Sequence, residues 1–191
     1  MKSNKLQYYE GGISGAGPGE WFGPDAPDGD RGDWATAPVG SEYVRKTSTG
    51  ATLYTKVKSD GLDDDWAILD GCISVTVKFS QFTDGGAAAG TYTLAAQLPV
   101  GAVVERAVLV NVTGFAGNTS AVITVGDGTD VDRYNTGTPS VFASAAAVDL
   151  GAPSGAVLHT AAVAPVITIT SASDFTAVNA GQLTLRIYYK G

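Results

Sequence analysis

Two stretches that bound the last 120 or so residues of this chain alternate apolar and polar side chains with period two, and nothing between them makes a convincing helix. In residues 73–79, Ile73, Val75, Val77 and Phe79 share one face while Ser74, Thr76 and Lys78 share the other. Near the end, Leu183, Leu185, Ile187 and Tyr189 lie on one face, with Thr184, Arg186 and Tyr188 opposite. Period two is the mark of a half-buried antiparallel strand. Further strands are expected near residues 91–95, 103–112, 121–125, 141–143 and 166–170, set apart by turn residues such as Asp84-Gly85-Gly86, Asp127-Gly128 and Gly181-Gln182. Gly at 25 and Pro at 8 of 191 residues break any long helix. Ala-rich residues 144–148 could make one helical turn, but a helix there is the lesser reading. The fold class is therefore all-β, with residues 72–191 forming an antiparallel β-sandwich or jelly-roll body.

Two smaller segments precede that body. Residues 41–71 read as a β-hairpin adaptor, with strands near 42–46 and 52–57 around a turn at Ser48–Gly50, followed by Trp66 and an aliphatic pair. A hairpin alone has little core and needs a neighbour. Residues 1–40 carry almost no periodicity and a turn dipeptide at nearly every step. Yet this segment holds Tyr8, Tyr9, Trp21, Phe22 and Trp34, whose apolar area would be wasted in water. We read it as an extended arm, reaching about 130 Å at most, whose rings anchor in pockets on a partner; the alternative is that it wraps the chain's own body. Tyr43, Tyr54 and Trp66 are expected to dock the arm to the body or to a sister subunit.

Charge narrows the partners. A net charge of -7 lacks the Lys/Arg surface that grips nucleic acid or an anionic membrane. The one cysteine, Cys72, allows no intramolecular disulfide and reads as a small buried hydrophobe. The opening MKSNKLQYYEGG has no apolar signal-peptide core, so cytoplasmic synthesis is expected, and no run reaches membrane-spanning length.

Candidate chemistry is sparse. His159 is the only histidine and no G-x-S-x-G elbow accompanies it, so neither a Ser-His-Asp machine nor a Cys72–His159 pair is expected. Asp60 and Asp63-Asp64-Asp65 lack the ligand spacing and closing Glu of a calcium loop and read as a solvated turn. Asp127, Asp130 and Asp132 offer three carboxylates to calcium, but Arg133 next to them is the cheaper neutraliser. Arg31-Gly32-Asp33 is a tripeptide that arises easily by chance in so Gly- and Asp-rich a segment. Nothing sets two acids across a cleft as a glycosidase needs. We expect no enzyme, no cofactor and no metal.

Two stretches resemble proteins of tailed-phage virions. The run GDRGDWATAPVGSEYVRKTSTGATLYTKV, closed by WAIL, is similar to small Gly-Asp, strand, Thr-Gly turn, strand, Trp modules of phage structural proteins. The corner Leu98-Pro99-Val100-Gly101-Ala102-Val103, with Val125-Gly126-Asp127-Gly128 ahead of Asp132-Arg133-Tyr134, resembles head-associated β-sandwich proteins. The resemblance implies a capsid decoration (cement) protein: a homotrimer on the outside of the virion shell, assembled in the host cytoplasm, that bridges subunits of the major capsid protein. The alternative is a head fibre or tail-associated receptor-binding protein that recognises host carbohydrate through Asp127, Asp130, Tyr134 and Asn135. The long repeated shaft of a fibre is missing, which favours the head.

Overall fold

The computed structural model describes residues 7–9, 20–23, 39–57, 66–154 and 158–191. The chain divides into two compact units: unit 1 spans Met1–Cys72 with Lys190–Gly191, and unit 2 spans Ile73–Tyr189. Both are all-β, and no α-helix occurs among the described residues.

In unit 1 the strand order is β1 (Gln7–Tyr9), β2 (Glu20–Gly23), β3 (Glu42–Thr47), β4 (Gly50–Lys56) and the first part of β5 (Trp66–Lys78). Strands β3 and β4 form the expected hairpin, with Thr47 opposite Gly50 across a two-residue turn at Ser48 and Thr49. Two stretches inside the segment read as an extended arm are strands instead. Strand β1 pairs antiparallel with β2, placing Tyr8 opposite Trp21, and β2 runs parallel to β3, placing Trp21 beside Tyr43. The physical reason is the open edge of the hairpin. Its unpaired N–H and C=O groups accept any extended segment that comes into register, whatever its turn content elsewhere.

Unit 2 is a β-sandwich. One sheet has the order β5, β12 (Gln182–Lys190), β8 (Val103–Thr113), β10 (Ala145–Asp149). The other has the order β6 (Thr83–Asp84), β7 (Ala89–Thr93), β11 (Val166–Ser171), β9 (Ala121–Gly126). Residues 139–141 run along the free side of β9: Ile123 N–H donates to the Pro139 carbonyl (3.0 Å) and Val141 N–H to that of Ala121 (2.9 Å). With that segment beside β9 and the two-residue β6 left out of the count, each sheet has four members, the first and last strands β5 and β12 are neighbours, and the chain swaps sheets as a jelly roll does. The core is built from the inward faces of the alternating strands: Ile73 and Val77 of β5, Leu183, Leu185 and Ile187 of β12, Ile123 and Val125 of β9, and Ile167 and Ile169 of β11 are buried. Phe82, Phe115 and Phe175 close one part of it, with ring centroids 5.9 and 6.0 Å from Phe82.

Two local features were not legible in the sequence. Residues 145–149 form a strand, β10, not a helical turn, because Ala147 and Val148 find ladder partners in Val110 and Leu109; pairing overrides the weak helix preference of alanine. Strand β8 is not evenly apolar. Val104, Ala107, Leu109 and Val112 point inward, so the alternation slips at Glu105–Arg106 and again at Asn111, where φ is 52°. The second slip inserts no residue against β10, whose register runs one-to-one from Val108 to Val112. The first carries Arg106 out to the exposed face, where its guanidinium lies 4.2 Å from the Tyr188 ring centroid.

Candidate interaction surfaces

The residues expected to touch a partner divide three ways. Tyr8, Tyr9, Trp21 and Phe22 sit on β1 and β2, and strand β1 ends the sheet of unit 1. Trp34, Arg31-Gly32-Asp33, Asp60 and Asp63-Asp64-Asp65 lie outside the described residues. Tyr43, Tyr54 and Trp66 come together, but inward. Their exposures are 0%, 8% and 7%, and with half-buried Ile68 they make up a hydrophobic core of unit 1. Tyr43 stands 6.2 Å from Tyr54 and 6.2 Å, edge-on at 71°, from Trp66. Tilted and edge-to-face rings are the favoured arrangement for aromatic quadrupoles. The expectation that these three dock onto the body or a sister subunit is therefore corrected: their faces are used by one another.

Lys56 completes that cluster in a way its sequence neighbours do not announce. It is 1% exposed, and its Nζ lies 6.0 Å from the Trp66 centroid. Strand alternation puts Lys56 on the same side of β4 as Thr52 and Tyr54. The signal was present in that parity, but a lysine is seldom read as an inward residue.

In unit 2 the Gly126–Asn135 loop is held by its own polar side chains. Asp127 Oδ1 accepts from the Thr129 and Asp130 N–H groups (2.9 and 2.8 Å), and Oδ2 lies 2.6 Å from Arg133 Nε. Gly126 permits the tight return, since a Cβ there would collide with the Asp130 carbonyl, and Gly128 supplies φ +84°. Burial raises the Asp127 carboxyl pKa, but the two backbone N–H donors and the Arg133 guanidinium outweigh it and leave the group below its ordinary value. Arg133 thus neutralises Asp127 as expected. Among the described residues no group of three or more His, Cys, Asp or Glu is arranged to hold a metal.

His159 and Tyr134 lock the base of the same loop. Tyr134 OH is 2.9 Å from His159 Nε2, and both are buried. Burial pushes the imidazole pKa down; Asp127 raises it in part and Arg133 lowers it further. Burial also raises the Tyr134 phenol. Asn135 is fully buried: its Oδ1 accepts from Val125 N–H (2.7 Å) and its Nδ2 donates to the Gly137 carbonyl. Tyr134 and Asn135, proposed from the sequence as carbohydrate ligands, are therefore structural. Their polar atoms are already engaged by buried neighbours, His159, Val125 and Gly137, and have no face for a sugar. Cys72 is half-buried rather than buried.

No protein-family model matches the chain, and no curated protein matches it. A solved structure, the cyanophage Pam1 capsid asymmetric unit, aligns over 63% of this chain and 84% of that chain, with 23% identity and a TM-score of 0.40. A superposition that loose leaves function to be read from the chain's own residues.

Proposed function

We propose that this chain is a non-enzymatic structural protein of a phage virion: a capsid decoration protein that sits on the outside of the head, binds the major capsid protein and braces neighbouring subunits as a homotrimer. The observation that carries the reading is the construction of unit 1. Its outermost strand, β1, bears Tyr8 and Tyr9 and has no described strand on its far side. An open edge offers main-chain donors and acceptors to an incoming strand, and alternating side chains supply selectivity. Large aromatics on the edge pair of strands are the residue types that dominate interface energy. On a symmetric shell the contact repeats, so modest sites combine through effective concentration.

Unit 2 suits the same role. Its polar loop residues are engaged in holding the loop, and His159 is hydrogen-bonded to a tyrosine rather than to a nucleophile. The carbohydrate-binding alternative loses two of its four residues to burial.

The test is binding of the purified chain to capsids that lack it, read by electron microscopy and co-sedimentation. Replacing Trp21 and Trp34 with Ala is expected to weaken binding about tenfold or more, the scale of an anchor residue, while unit 2 stays folded. Undiminished binding by that double variant would remove the aromatic segment from the interface. Location of the chain on a tail fibre would remove the decoration reading itself.

A further inference from the structure

Unit 2 is acidic on balance, and its cations are Lys78, Arg106, Arg133 and Arg186. Arg133 is taken by Asp127 at 2.6 Å and by Asp130 at 3.6 Å. The other three project from the same face. Thr76 and Thr184 share a 2.8 Å hydroxyl hydrogen bond, which puts the outward residues of β5 and β12 on one side, Lys78 and Arg186 among them. Arg106 lies over Tyr188, which joins β8 to that side. Lys78, Arg106 and Arg186 are exposed and make no ion pair among the described residues. Between and beside them lie half-buried Val108 and Val110. Opposite these on β10 are Asp149 and Ala147. Two acids share this side: Glu105, exposed beside Arg106 on β8, and Asp149, whose carboxylate is engaged by Gly151 N–H at 2.9 Å, so the three cations leave the face with a small positive excess.

The same unit carries the complement. The loop tip Asp130-Val131-Asp132 presents a valine that is 57% exposed between two carboxylates. Asp132 is fully exposed, and a hydrogen bond to Asp130, together with that neighbour's charge, raises its pKa. Arg133 already lies 3.6 Å from Asp130, so Asp132 is the carboxylate of the tip that gains most from a further cation. An acid–valine–acid tip matches a face of valines flanked by arginines in both charge and polarity.

We propose that the outer face of the β5–β12–β8–β10 sheet is a self-association surface that receives the Asp130-Val131-Asp132 tip of a second copy of this chain. The contact is head-to-tail, since face and tip are different surfaces, and it closes into a ring when the rotation between copies allows. Arg106, pre-oriented by the Tyr188 ring, and Arg186 pair with Asp132, and Val131 lies against Val108 and Val110. Four strands about 4.8 Å apart and about five residues deep give a face of roughly 250 Å², well under the ~800 Å² per partner of a standard interface. Self-association in solution is therefore weak and strengthens when copies are arrayed on a shell. The inference deepens the homotrimer reading and rests on it for the identity of the partner.

The experiment is sedimentation velocity on the full chain up to about 1 mM, a concentration that detects even a contact worth some 4 kcal/mol. Arg186→Glu, on an exposed side chain, is expected to weaken association about tenfold or more, because it sets like charges together. Asp132→Lys is expected to do the same, and an equimolar mixture of the two variants is expected to associate again through the reversed pair. Melting curves confirm that both stay folded. A chain that is monomeric throughout the range overturns the proposal, as does association insensitive to Arg186→Glu. A mixture that fails to recover overturns the tip as occupant. Capsid binding is measured in parallel. Variants that self-associate normally but no longer bind capsids would assign the face to the shell and overturn the proposal. Variants that lose self-association but still bind capsids uphold it and leave the decoration reading standing by itself.

Discussion

Units 1 and 2 of this chain solve the same problem, burying one face of a sheet, with different amounts of material. Unit 2 spreads its core over two facing sheets and many aliphatic residues, so each contributes a modest part. Unit 1 concentrates the side chains of its described core cluster in Tyr43, Tyr54 and Trp66, with Ile68 packed against them. A distributed core tolerates the loss of one member. A cluster of three rings does not, because truncating a buried aromatic costs about 3–5 kcal/mol and a small unit has about that much stability in total. The sandwich is thus the sturdier unit, and unit 1 is the part whose order is most easily lost.

The most damaging change we expect is Tyr43→Ala. It should abolish hydrogen-exchange protection in β3 and β4 while β11 and β12 stay protected. Leu185→Ala in the sandwich removes a side chain equally buried and costs about 2–5 kcal/mol, yet it should lower the melting temperature of unit 2 without unfolding it. If protection in β3 and β4 survives Tyr43→Ala, or if unit 2 melts with it, the contrast between the units fails.

A smaller effect sharpens the comparison from the side of unit 2, where polar staples supplement the core. Asp127→Asn leaves an acceptor for the backbone donors but takes the charge from Arg133, at a cost of about 1–3 kcal/mol in chemical denaturation. The sign with pH follows from the depressed carboxyl. The folded state holds this proton less tightly than the unfolded state, so the stabilisation is complete above the ordinary value of 3.8 and is lost as pH falls through the lower folded value. The gap between wild type and Asp127→Asn should close over that acid range. A constant gap would mean that shape, not charge, holds the loop.

The smallest expected change concerns His159. Its imidazole is buried with a lowered pKa, so the unfolded state takes up the proton first as pH falls. Stability should be full above the ordinary value of 6.5 and decline from there down through the folded value. His159→Gln, which keeps a partner for Tyr134, should flatten that decline and leave unit 1 untouched. An unchanged pH profile would remove His159 from the acid response.

Much of the sandwich was legible because alternation is a local property. Thr184, Arg186 and Tyr188 were read as one face and Ser74, Thr76 and Lys78 as another, and the Thr76–Thr184 hydrogen bond joins those two faces. That is also why the basic face was half visible: each strand announced its outward residues, but only the strand order set Arg106 beside Tyr188. Lys56 was missed because charge outweighed parity in the reading. Tyr134 and Asn135 were misread as ligands because a loop full of hydrogen-bonding groups looks the same in sequence whether its groups face solvent or one another.

The sequence determined the all-β class, most strands of the body and the turns between them, since period-two patterning and turn residues act through neighbours in the chain. Tertiary structure decided which faces meet. It turned alanines into an edge strand, set β2 beside the hairpin and β1 beside β2, closed three rings on themselves and left three cations on one sheet face. Those outcomes depend on contacts between residues far apart in sequence, whose energies exceed any local preference and leave no periodic trace in the chain.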